Sequence, residues 1–225
     1  MLQFANLEAA KAGVRSLMTD ALLKWGTAEP VRFNESASDQ RWDFKVMVRE
    51  QTDCDVNGCV LASAFFPDQG QHDLVIYPTM FSQPCSEQIE TLTHEFGHVF
   101  GLRHFFANVS ETKWAGEIFG KPKKFTIMNF GADSRLSATD TSDLRKLYLA
   151  AWSFEINDIY GTPVRLFRPY SASRYRALAP PAAGNLAKLA APVSQARAPR
   201  LRLVPDCSQA RSQPVLSLSL HCGQR

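Results

Sequence analysis

Residues 94–104 read HEFGHVFGLRH and hold three of the chain's five histidines. His94 and His98 are four residues apart, so on a helix both side chains project from one face, about one turn apart. Ile89, Leu92, Phe96, Val99 and Phe100 cover much of the remaining surface of a helix over 86–100, which predicts a largely buried helix. Two imidazoles on such a helix are costly unless something coordinates or hydrogen-bonds them. A zinc ion meets that need, because neutral imidazole nitrogens ligate it well. Gly101 can take positive φ and turn the chain sharply at the helix end, swinging His104 back as a third ligand. Three protein ligands leave a fourth tetrahedral position for water, the arrangement of a catalytic zinc. Glu95, directly after His94, then serves as the general base acting on that water.

The pattern H-E-x-x-H-x-x-G-x-x-H resembles the zinc signature of the metzincin metallopeptidases, and His94, Glu95, His98, Gly101 and His104 match every fixed position. FTIMNF places Met128 24 residues after His104 and looks like the family's methionine turn. In that family the methionine is not a ligand but packs beneath the histidines. The resemblance is closest to the matrixin catalytic domain. ALLKWGTAEPVRFNE is similar to its first helix running into its first strand, VLASAFFPDQGQHDLVIYP to its edge strand and following turn, and RLSATDTSDLRKLY to its closing helix.

Two things depart from the pattern. Phe130 stands where astacins and serralysins place a tyrosine near the zinc. His72 and Asp73 lie in the region of the matrixin structural metal sites, but the other ligands there are missing. His72 is therefore read as an exposed turn residue, and structural calcium or a second zinc is not expected. The resemblance implies a zinc-dependent endopeptidase with one catalytic zinc, protein or peptide substrates, and secretion. The amino terminus shows no signal peptide, since Leu2, Phe4 and Leu7 are interrupted by Gln3, Asn6 and Glu8.

The elements that must position these residues follow from periodicity. Val14, Leu17, Met18, Ala21, Leu22 and Trp25 recur at three- and four-residue spacing, predicting an amphipathic helix over 7–25 that ends at Gly26. Strands are predicted at 31–33, 43–49, 60–66 and 73–78; within 43–49, Phe44, Val46 and Val48 alternate with other residues. After the helix over 86–100 comes an irregular stretch to residue 137. Ser137 or Thr139 then caps a last helix with an inward face of Leu144, Leu147, Tyr148, Ala151 and Trp152. The implied fold class is α+β: a twisted, mainly parallel sheet with an antiparallel edge strand, backed by the first two helices. A smaller irregular part holds His104, Met128 and the closing helix.

Charge divides the chain at Gly161. Residues 161–225 hold 10 Lys+Arg against the single acid Asp206, and residues 1–160 hold 15 basic and 21 acidic residues. Eight of the 13 prolines also lie beyond Gly161, among Ala-rich runs. The expected organisation is a metallopeptidase domain over 1–160 and a basic, flexible tail over 161–225.

That tail raises a second function class, nucleic-acid or anionic-surface binding. Its arginines are interleaved with Pro and Ala rather than aromatic residues outside 165–176, which is the pattern of a solvated tail. A third class is a zinc-containing binding module that has lost catalysis, and the intact Glu95 argues against it. No stretch approaches the roughly 20 apolar residues needed to span a bilayer. Cys54 and Cys59, and Cys207 and Cys222, could each close a loop in an oxidising compartment; the alternative is reduced thiols.

Overall fold

The structure, a computed structural model, describes residues 6–36, 42–113, 115–120, 126–129, 134–173 and 217–224. Its first helix, α1 (Leu7–Trp25), begins where Asn6 accepts a hydrogen bond from the Ala9 amide at 2.9 Å and ends at Gly26, φ 54°. The predicted apolar stripe is the buried face: Val14, Leu17, Met18, Ala21 and Trp25 all enter the core. Strands β1 (Val31–Ser36) and β2 (Phe44–Val48) follow, then a hairpin of β3 (Asp53–Asp55) and β4 (Gly58–Val60). A disulfide joins Cys54 and Cys59, which face each other across that hairpin. Cys207 lies outside the described residues.

The expected strand over 60–66 is broken. β4 ends at Val60 and β5 is only Ala62–Ser63, because the next amide, that of Ala64, is drawn to the Glu95 carboxylate instead of to a strand partner. β6 (His72–Ile76) then runs parallel to β2 and antiparallel to β5. His72 is not the exposed turn residue that was expected. It opens β6, is half-buried, and stacks on Phe65 with centroids 4.2 Å apart and planes 7° from parallel.

α2 (Cys85–Val99) crosses α1, and together they cover the face of the sheet where Phe44, Val46, Val48, Leu74 and Ile76 are buried. The Trp25 indole donates to the Thr93 carbonyl at 3.0 Å and meets Phe100 edge-on at 5.4 Å, locking the two helices in register. A short helix α3 (Ala107–Ser110) interrupts the stretch expected to be irregular. α4 (Ala138–Trp152) starts at a capping box in which Ser137 and Asp140 satisfy each other's backbone amides. Leu144 and Ala151 are buried and the Tyr148 hydroxyl donates to the Phe100 carbonyl at 2.8 Å, whereas Trp152 is 36% exposed and not part of the inward face.

Two features of the chain beyond α4 differ from the expected tail. β7 (Asp158–Ile159) and β8 (Thr162–Pro163) form a hairpin that straddles the boundary at residue 161. After α5 (Tyr170–Ser173) and residues outside the described set, β9 (Ser217–Gln224) enters the main sheet. The sheet order is β1-β9-β2-β6-β5, with β9 antiparallel to both neighbours. The sheet is therefore mixed, with the expected antiparallel edge strand β5, but β2–β6 is the parallel pair and the mainly parallel sheet was not realised.

Candidate metal centre

His94 and His98 stand on α2 one turn apart, as their spacing requires, and the helix ends at Val99, one residue after His98. Gly101 adopts φ 89°, a conformation that a residue with a side chain rarely takes. The reversal is closed by two backbone bonds, Gly101 to His98 at 2.8 Å and Leu102 to Gly97 at 2.9 Å. It brings His104 back against the other two histidines. The Nε2 atoms of His94 and His98 lie 3.1 Å apart, and those of His94 and His104 lie 3.2 Å apart. Among the described residues this is the one group of three or more His, Cys, Asp or Glu side chains able to hold a metal ion.

The outer nitrogens explain what the inner ones can do. His94 Nδ1 donates to the Ile127 carbonyl at 2.6 Å, and His98 Nδ1 donates to the Leu102 carbonyl at 2.8 Å. His104 Nδ1 is 2.5 Å from a Glu111 carboxylate oxygen. Each acceptor demands the proton on Nδ1, so in the neutral rings all three Nε2 atoms present lone pairs to one another. Three converging lone pairs repel unless a cation sits between them. Zinc–nitrogen bonds of about 2.0–2.1 Å in a tetrahedron separate the nitrogens by about 3.4 Å, close to the spacings found here. The donor set fits zinc. Burial also holds the rings in the ligating form: desolvation lowers the pKa of His94 and of His98 to about 4, outweighing the hydrogen bonds that each donates.

Glu95 is buried beside this cluster, 6% exposed, and its Oε2 accepts the Ala64 amide at 2.6 Å. Desolvation raises its pKa to about 7, with the Ala64 bond acting in the opposite direction. A carboxyl poised near neutrality can both accept and return a proton.

Met128 is buried in the turn over residues 127–129, where its carbonyl accepts the Phe105 amide at 3.0 Å. Its sulfur lies against Gly97 on α2, so close that a Cβ there would overlap it. Asp140 ties this turn to α4, accepting from Thr126 Oγ1 at 2.8 Å and from the Ser137 amide at 2.7 Å. Phe130 lies outside the described residues.

Glu117, an acid further along the chain, accepts from Thr162 Oγ1 at 2.8 Å and is not part of the cluster. Sequence reasoning missed Glu111, Asp140 and Gly97. Glu111 follows His104 by seven residues in a stretch without periodicity, so nothing local marks it. Asp140 carried a signal, its place three residues after Ser137, but only for a helix cap. Gly97 sits at a position the zinc signature leaves open.

The matrixin family model matches residues 2–112, a span that takes in the three histidines, Glu95 and Glu111 and ends before Met128. Human stromelysin-3 is 31% identical over 100 residues, covering 40% of this chain and 20% of that protein. The chain thus aligns with about a fifth of the length of that relative. No solved structure gives a significant match.

Proposed function

Because this chain carries a matrixin-like metzincin domain, of zinc metallopeptidase type, we propose that it is an endopeptidase with His94, His98 and His104 as zinc ligands and Glu95 as general base. The observation that carries the reading is the convergence of three Nε2 lone pairs, each fixed by an acceptor on the far side of its ring. A zinc ion held there supplies a Lewis acid that polarises the scissile carbonyl and acidifies water.

The chain's own residues do the rest. Glu95 takes a proton from the attacking water and delivers it to the departing amine, so that peptide and water become a carboxylic acid and an amine. Its bond to the Ala64 amide fixes the plane of the carboxylate, and burial keeps its proton affinity close to what both transfers need. β5 is the last strand of its sheet, and an extended substrate pairs with that edge by main-chain bonds that require little side-chain preference. Gly101 sets the turn that places His104, and Met128 packs under the helix that carries the other two ligands.

One catalytic zinc accounts for the site, and structural calcium is not part of the reading. Protein or peptide is the substrate class. No described helix is long and apolar enough to cross a membrane. The Cys54–Cys59 disulfide, together with the matrixin likeness, supports work in an oxidising, secreted setting.

The test is cleavage of casein by the purified chain, with and without chelator. Glu95→Gln should retain zinc and lose activity by orders of magnitude. A variant that cleaves as fast as the parent refutes the role of Glu95. A parent that binds one zinc and leaves casein intact points instead to a zinc-containing binding module.

A further inference from the structure

We infer that Glu111 is a positioning residue of the metal centre, its carboxylate fixing the ring of His104 through Nδ1 so that the third ligand is presented to the metal. This rests on the reading of His94, His98 and His104 as zinc ligands.

The three rings are not held alike. His94 and His98 stand on a helix, and their Nδ1 acceptors are the backbone carbonyls of Ile127 and Leu102. His104 lies beyond the Gly101 turn, where no helix sets its direction, and its Nδ1 acceptor is a side chain. The backbone between them is built to return that side chain. The Ala107 amide bonds the His104 carbonyl at 2.9 Å, and the Glu111 amide bonds the Ala107 carbonyl at 3.0 Å. The single turn of α3 therefore brings residue 111 back over residue 104.

Arg103 holds the loop from the other side. Its guanidinium donates to the Glu111 backbone carbonyl at 2.8 Å and lies 3.3 Å from the second carboxylate oxygen. One carboxylate thus spans Arg103 and His104, and the arginine leaves the other oxygen directed at the ring. Phe106 stacks on the same imidazole at 5.2 Å and 15°, which limits its tilt but not its rotation in plane. A carboxylate behind a histidine orients the ring and makes its far nitrogen a better donor, effects that a neutral carbonyl supplies less strongly. The ligand least constrained by backbone has the strongest acceptor.

The experiment measures zinc affinity of the full chain by competition with a chromophoric chelator, for the parent, Glu111→Gln and Arg103→Met. It adds ring ¹H–¹⁵N spectra of the zinc-loaded proteins. Glu111→Gln should weaken zinc binding by about 10–100-fold. The His104 Nδ1–H resonance should move upfield while those of His94 and His98 stay in place. Arg103→Met, which keeps the carboxylate, should cost less than Glu111→Gln. Glu111→Gln binding zinc within threefold of the parent overturns the inference. So does a uniform movement of all three ring signals, which would mark a loosened loop. Should Glu111→Gln fail to fold, the parent spectrum decides: a His104 Nδ1–H signal no further downfield than the other two overturns the assignment. A parent that binds no zinc refutes the metal centre itself, whereas tight binding by both parent and Glu111→Gln refutes Glu111 alone.

Discussion

Gly97 has no place in the zinc signature, yet it is the contact between the helix that carries His94 and His98 and the turn at Met128. A Cβ added at Gly97 would overlap Met128 Sδ, and it would lie 3.2 Å from Met128 Cε and 3.5 Å from Trp25 Cζ2. Trp25 cannot yield, because it is 1% exposed and its indole is bonded to the Thr93 carbonyl. Met128 must therefore move. Its turn carries the Ile127 carbonyl that holds His94 and the Met128 carbonyl that holds the Phe105 amide beside His104.

For Gly97→Ala, overpacking should cost about 1–3 kcal/mol. The better helix propensity of alanine offsets about 1 kcal/mol of that. The net loss is up to about 2 kcal/mol, accompanied by weaker zinc binding although no ligand changes. Met128→Ala alone opens a cavity in the core and should cost about 2–5 kcal/mol. In the double variant the new methyl occupies part of the space vacated, so the two changes should couple favourably by about 1–2 kcal/mol. Urea unfolding of the four proteins, metal-free and zinc-loaded, measures the cycle. Additivity within about 0.5 kcal/mol would mean that Gly97 and Met128 do not touch.

Gly101→Val should strain the backbone by about 1–3 kcal/mol and lower zinc affinity and casein cleavage together, with Gly101→Ala milder. The nearest atom to an added Cβ is Pro67 Cγ at 3.9 Å, so unchanged zinc binding in Gly101→Val would show that φ 89° is not needed to place His104. Deleting residues 217–225 removes the strand that pairs with both β1 and β2, and should cost several kcal/mol of stability and unprotect their amides in hydrogen exchange; an unchanged urea midpoint would refute its place in the sheet.

Acidification of the metal-free chain tests burial at the site. His94 and His98, with pKa lowered to about 4, contribute stability that is present above the unfolded value near 6.5 and lost as pH falls toward 4. Glu95, raised to about 7, contributes stability that is present below about 4.5 and lost as pH rises through 7. Two histidines oppose one glutamate, so the chain should lose on the order of a few kcal/mol from pH 7 to 4. Glu95→Gln should steepen that loss, and a flat profile for both would show that the rings are not buried neutral.

Local periodicity determined much of this protein. The spacing of Val14, Leu17, Met18, Ala21 and Trp25 fixed the face of α1, and the alternation of Phe44, Val46 and Val48 fixed the face of β2. His94 and His98 are brought together by helix geometry alone, and Gly101 marked its own turn because few other residues adopt that φ. These features depend on contacts within a few residues, so composition and spacing carry them.

What the tertiary structure decided lies in longer-range pairing. Strand length at 60–66 was set by Glu95, 31 residues beyond Ala64, taking an amide that alternation assigned to the sheet. His72 became part of a strand because Phe65 and β2 offered it a stacking surface and a ladder. Residues 217–224 lie between β1 and β2, more than 160 residues away in sequence. A strand's partner is chosen by which edges the rest of the chain leaves available, and no local pattern records that. Glu111 belongs to the same class: its role is set by the path of α3 between it and His104, not by its own sequence neighbourhood.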